Sequence, residues 1–168
     1  MPTFYKEDMR KRRKPMSKQR IRSTWINLCL CLWGMIIVKR DGICQWCGGN
    51  NALTGHHIVS RGSVAGYKLS WFDLDNGVCL CGRCHGIAHG RGRRTTIHDY
   101  VAWIEKWLSE KGLSYEGMKV SYSVIHKMPL ADVKLQYNVL RADCGGMQIP
   151  YTENVKYKRL RKRIEENE

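Results

Sequence analysis

Cys44-x2-Cys47 and Cys81-x2-Cys84 bracket the pair His56-His57 and Asn76, and His85 and His89 follow the second cysteine pair. A C-x2-C turn presents two thiolates to one ion, and two such turns complete the tetrahedral four-sulfur site of a structural zinc. Cys44, Cys47, Cys81 and Cys84 are therefore the expected zinc ligands. Cys79 offers a C-x4-C alternative to Cys81, although the tighter spacing is preferred. The two pairs are 33 residues apart, from Cys47 to Cys81, where a compact zinc ribbon uses roughly 12–20. Something is built between the halves, and what stands there is the histidine pair and Asn76.

Histidine supplies either a metal ligand or a group that titrates near neutrality. Adjacent residues on a strand face opposite sides, so His56 and His57 cannot serve one centre in the same way. One can bind metal while the other points towards substrate. His85 and His89 are four apart and share a face if they lie on a helix. A metal held by His56, His85 and His89 leaves open positions for phosphate and water. His57 is then free to act as general base, and Asn76 can hydrogen-bond to hold the strand or His57 in place.

These residues need a small scaffold. Residues 52–59 read as a short strand carrying the histidines, 60–69 as a glycine-containing loop, and 77–81 as a second strand. Residues 82–90 begin a helix whose start is fixed by the second knuckle. Upstream, 25–38 is a nearly unbroken apolar run. At 14 residues it falls short of the roughly 20 needed to span a bilayer, so a buried core helix is expected, capped at Ser23 or Thr24, running to about Arg40 and ended by Asp41-Gly42. Residues 95–111 carry apolar residues at helical spacing, with Thr96 and Asp99 as a capping box and Gly112 as the C-terminal glycine. Further helices are expected at 130–141, ending near Gly145, and within 151–168. Trp46, Trp71, Phe72, Cys29, Cys31 and Cys144 are expected in the core, His98 on the surface, and His126 without a motif. The organisation expected is a basic arm at 1–22, a catalytic module with its leading helix at 23–94, and a helical extension at 95–168.

The chain of 168 residues carries 29 Lys and Arg against 15 Asp and Glu, a net charge of +14. The excess is uneven: 11 basic and 3 acidic residues in 1–42, 6 and 2 in 43–94, and 12 and 10 in 95–168. Such a balance points to a polyanionic partner, most often nucleic acid. Arg12 and Arg13 in the arm, with Arg61 and Arg83 in the module, are the candidates for phosphate contacts. Asp73 and Asp75 are the acidic residues of 43–94, which disfavours a nuclease built on carboxylate clusters. Cysteines paired as knuckles and no apolar leader in 1–22 suggest a reducing cytoplasm.

Cys44-x2-Cys47, Thr54-Gly55-His56-His57-Ile58-Val59 and Asp75-Asn76-Gly77-Val78-Cys79-Leu80-Cys81-x2-Cys84-His85-x3-His89 together resemble the zinc-containing HNH endonucleases, the ββα-metal group, over about residues 35–94. The resemblance implies an α+β fold: a small ββα-metal module with a zinc knuckle pair, flanked by an N-terminal helix and C-terminal helices. It also implies hydrolysis of DNA phosphodiester bonds, with His57 as the base that activates water, Asn76 orienting that base, and His56, His85 and His89 holding a catalytic Mg²⁺, Mn²⁺, Ni²⁺ or Zn²⁺. The His85–His89 spacing is most similar to the nuclease colicins. Many family members have an acidic residue where His56 stands, and Ser60-Arg61 replaces a common proline. Double-stranded DNA is the expected partner. The alternatives are a branched-DNA resolvase with the same site, a class that is typically dimeric, and a zinc-ribbon protein that binds nucleic acid without cutting it. The style of the family suggests a phage or prokaryotic origin, and hence the cytoplasm of a bacterial or phage-infected cell.

Overall fold

The computed structural model describes residues 15–61, 69–123 and 128–167. Arg12, Arg13 and His126 lie outside these, as does most of the expected basic arm.

Helix α1 runs Lys18–Asp41, starting earlier than the expected cap at Ser23 or Thr24. Ser17 is the cap, its hydroxyl accepting from the Arg20 amide, so Lys18–Arg22 belong to the helix and not to an arm. Thr24 instead bonds back to the Arg20 carbonyl. The helix ends as expected, at Gly42 with φ 72°, whose amide reaches the Val38 carbonyl; glycine takes that conformation at little cost. By length and composition α1 is apolar enough to cross a membrane. Here most of its apolar residues are buried within the protein, against α5 (Leu130–Gly146) and α6 (Val155–Glu165), with Leu30, Met35 and Val38 half-buried.

Strands β1 (Thr54–His57) and β2 (Gly77–Leu80) form an antiparallel pair in the register Thr54–Leu80, Gly55–Cys79, His56–Val78 and His57–Gly77. Alternation along the pleat divides the hairpin between two cores. Cys79 joins the core built on α1, whereas Val78 and Leu80 join a second core with Tyr100, Ile104 and Leu108 of α3 (Arg94–Glu110) and Met118 of α4 (Tyr115–Ser123). Helix α2 (Gly82–Ala88) leads from the second knuckle into α3. Helix α4 has no counterpart in the sequence reading. The capping box at Thr96 and Asp99 does not form, since the Thr96 hydroxyl donates to the Arg93 carbonyl instead.

Close approach of α1 to the hairpin requires glycine. A Cβ on Gly77 would stand 2.4 Å from Ile37 Cδ1, and one on Gly55 3.1 Å from the Gly34 Cα. The contact is fixed at its rim by Arg40, whose guanidinium donates to the Leu74 and Gly77 carbonyls and to Asp41. The Asp41 carboxylate in turn accepts from the Cys79 amide. With two strands, six α-helices and the cysteine cluster among the described residues, the fold is α+β, consistent with a ββα-metal module.

Candidate metal and hydrolytic site

The knuckle cysteines come together as their spacing requires. One ligand sulfur from each of Cys44, Cys47, Cys81 and Cys84 lies within 4.8 Å of the others, with Cys47 Sγ 3.7 Å from Cys81 Sγ. The first knuckle turn is closed by the Gly48 amide on the Cys44 carbonyl, and the second opens α2. Cys79 stands apart: it is buried on the α1 face, and burial pushes its thiol up to about 11. The Cys84 amide holds the Cys81 thiol down to about 7, while burial raises that of Cys84. This four-sulfur cluster can hold a metal ion.

The histidines divide as a strand demands. His56 faces α2, where its ring meets His85 and His89 at centroid distances of 5.1 and 5.0 Å. One ring nitrogen from each of the three falls within 4.8 Å of the others. His85 lies inside α2 and His89 at its C-terminal cap. His56 is 6 % exposed, and its Nδ1 is buried with no hydrogen-bond partner among the described residues. Burial, then the charges of His85, His89 and His57, lowers the His56 pKa to about 3. Three converging imidazole nitrogens, one of them buried and orphaned, are what a divalent cation needs, so the residues fit a metal.

His57 points the other way. Its ring lies on the indole of Trp33, centroids 3.9 Å apart and planes 12° from parallel. Its Nε2 is 2.9 Å from the Trp71 carbonyl oxygen. A carbonyl can only accept, so His57 donates from Nε2, and in the neutral ring Nδ1 keeps the lone pair. Burial, then the charge of Arg61, lowers its pKa to about 4 against the opposing pull of the Trp71 carbonyl. His57 also shares a cavity of about 350 Å³ with His85, His89, Ser60 and Arg61.

Asn76 makes no hydrogen bond to His57 among the described residues. It is 1 % exposed and ties three backbone groups together: its amide donates to the Val59 and Ser70 carbonyls, and its oxygen accepts from the Val59 amide. It thereby fixes the end of β1 to the turn Leu69–Trp71, whose Trp71 carbonyl holds His57. Arg61 lies at the cavity with its guanidinium over Trp71. Arg83 does not reach the histidines; it is exposed on α2 and lines a separate cavity with Arg91 and Arg93.

Two cysteine pairs, a split histidine pair, a buried asparagine and a short helix with two histidines thus converge on one ββα unit. Residues 44–91 match the HNH endonuclease family model. No curated protein and no solved structure gives a significant match. The HNH segment carries both metal-ligand clusters and supports nuclease-type activity. The residue that sequence reasoning missed is Trp33, which lies outside the HNH segment. It sits within the apolar run of α1, where nothing in the residue pattern separates a core tryptophan from the floor of a site.

Proposed function

We propose that the protein is a metal-dependent endonuclease that hydrolyses DNA phosphodiester bonds, with His57 as general base. The observation that carries this reading is the division of the histidine pair, three imidazoles converging on one side of β1 and His57 held on the other in a single tautomer. HNH nucleases act on DNA, and the net charge of +14 suits that substrate.

His56, His85 and His89 would hold the catalytic cation, with Mg²⁺, Mn²⁺, Ni²⁺ and Zn²⁺ the candidates and all-imidazole ligation favouring the softer ones. When bound, a divalent cation there supplies Lewis-acid stabilisation of charge on the phosphoryl and leaving oxygens. His57 does the proton work. Its Nδ1 takes a proton from water as the water oxygen bonds to phosphorus and the bond to the 3′ oxygen breaks. An uncharged His57 at neutral pH is always ready to accept. An approaching phosphate adds negative charge beside it, which favours the imidazolium and strengthens the base where the proton is transferred. The Trp71 carbonyl stabilises that imidazolium through Nε2–H. Arg61 neutralises phosphate charge at the cavity mouth. Cys44, Cys47, Cys81 and Cys84 would hold a structural zinc that fixes the start of α2 and hence His85 and His89.

The test is cleavage of supercoiled plasmid by metal-stripped protein resupplied with Mg²⁺, Mn²⁺ or Ni²⁺. Metal-dependent nicking or linearisation is expected. Tight DNA binding with no cleavage under any metal would replace the enzyme with a zinc-ribbon binding protein.

A further inference from the structure

Two cavities flank the histidines, and they differ in charge. The one beside His85 and His89 also holds Arg61 and Lys156. The other, about 420 Å³ and lined by His56, Tyr100 and Tyr115, shares His57, Ser60 and His89 with the first and holds Glu105 and Glu116. None of the described residues lining the first is acidic. That cavity shares Leu30, Gly34, Thr54, Gly55 and Lys156 with a further one of about 730 Å³, which adds Lys39 and again has no acidic residue among its described lining. The two form one groove, running from the histidines past Lys156 to Lys39 between α1, β1 and the start of α6. Its floor is low because Gly34 and Gly55 meet backbone to backbone.

Lys156 is the charged residue that the C-terminal extension brings to the groove, alongside Gln148, Ile149, Pro150 and Asn154. It stands in the first turn of α6, exposed, with no ion pair among the described residues. On the same helix Arg161 and Lys162 are paired with Glu165 and Glu166. Both cavities reach the histidines, but an unpaired cation in the acid-free one, when the other carries two carboxylates that would repel a phosphodiester, has a specific use. We propose that this groove carries the backbone of the cleaved DNA strand, and that Lys156 contacts a phosphate flanking the scissile one. The extension at 95–168 thus completes the substrate site by way of α6. The inference rests on the nuclease reading for the identity of the strand.

The test is binding of a fluorescein-labelled DNA duplex of mixed sequence to the full-length chain, by anisotropy across a salt series, with cleavage of the same duplex followed in parallel. Lys156→Gln is compared with Lys158→Gln, a change of the same charge on the same helix at an exposed residue that lines neither cavity. Lys156→Gln should weaken binding roughly tenfold and lower the slope of log K against log salt by about 0.9, the loss of one phosphate contact. Lys158→Gln should do less on both counts. Lys156→Arg should restore binding, and in cleavage Lys156→Gln should raise KM more than it lowers kcat. Equal effects of the two glutamine variants, or an unchanged slope in Lys156→Gln, would overturn the proposal. So would tighter binding by Glu105→Gln with no effect at Lys156, which would route the strand through the other cavity. Absence of cleavage by the wild-type chain, with the Lys156-specific binding pattern intact, would sink the nuclease reading and leave the groove standing.

Discussion

Trp33 of α1 and His57 of β1 are stacked, ring centroids 3.9 Å apart and planes 12° from parallel. The indole is itself fixed, its Nε1–H donating to the Asp73 carbonyl 2.9 Å away, and it is 2 % exposed. The base proposed for the reaction is therefore clamped between a side chain outside the HNH segment and the Trp71 carbonyl within it.

Trp33→Ala removes that floor. The protein should lose about 3–5 kcal/mol of stability, as for large aromatic truncations in cores, and cleavage should fall more than 100-fold even at a temperature where the variant is folded (order of magnitude from the general-base contribution). Trp33→Phe keeps a stacking surface and should retain most activity. Denaturant melts paired with cleavage rates check this; a folded Trp33→Ala enzyme with full activity would remove the clamp from the account.

Asn76 acts through the backbone. Asn76→Ala leaves a buried amide at Val59 and carbonyls at Val59 and Ser70 without their partner, at a cost of about 1–3 kcal/mol or more. Because the Trp71 carbonyl then loses its anchor, kcat should fall while the affinity for DNA and the metal content hold. A loss of stability with unchanged kcat would make Asn76 purely structural.

The cysteines can be told apart. Cys81→Ser should abolish tight zinc binding and, with it, the ordered start of α2, measured as zinc content after gel filtration together with the thermal transition. Cys79→Ser should retain zinc, because Cys79 is buried in the α1 core with its thiol held protonated up to about 11. Retention of zinc by Cys81→Ser with loss in Cys79→Ser would reverse the ligand assignment.

Acid should destabilise the metal-stripped protein. His56 and His57 have folded pKa values near 3 and near 4, both lowered mainly by burial, below the unfolded value of about 6.5. The unfolded chain then binds more protons, so this stability is fully present above about pH 6.5 and is lost as pH falls through the two folded values. Added Ni²⁺ or Zn²⁺ should move the loss to lower pH, since metal and protons compete for the same nitrogens. A melting temperature flat from about pH 7 to about pH 4, with and without metal, would contradict the buried neutral histidines.

Much of this was legible in the residues. The C-x2-C pairs, the period-two split of His56 from His57 and the i, i+4 relation of His85 to His89 are local rules, and the structure follows them in space. The start of α1 lies earlier than expected because Ser17, Ser23 and Thr24 are all capable caps, and the helix continues through an exposed polar turn ahead of its apolar run. Helix α4 was missed because Tyr115–Ser123 is short and contains Gly117. Contacts between distant segments were not legible: Trp33 under His57, and Lys156 beside His89 in one cavity, depend on how α1 and α6 dock against the hairpin, and no periodicity encodes that. Arg83, a candidate for phosphate contact, is exposed on α2 and lines a cavity apart from the histidines, a placement that its position in the sequence does not encode.

The most direct measurement is plasmid cleavage by His57→Ala beside the wild-type chain, each loaded with zinc and resupplied with Mg²⁺, Mn²⁺ or Ni²⁺, with metal content and DNA affinity measured on the same preparations. Metal-dependent cleavage by the wild type is expected, with at least a 100-fold loss in the variant and metal content and affinity unchanged. Wild-type rates in a His57→Ala protein of normal metal content would contradict His57 as the general base.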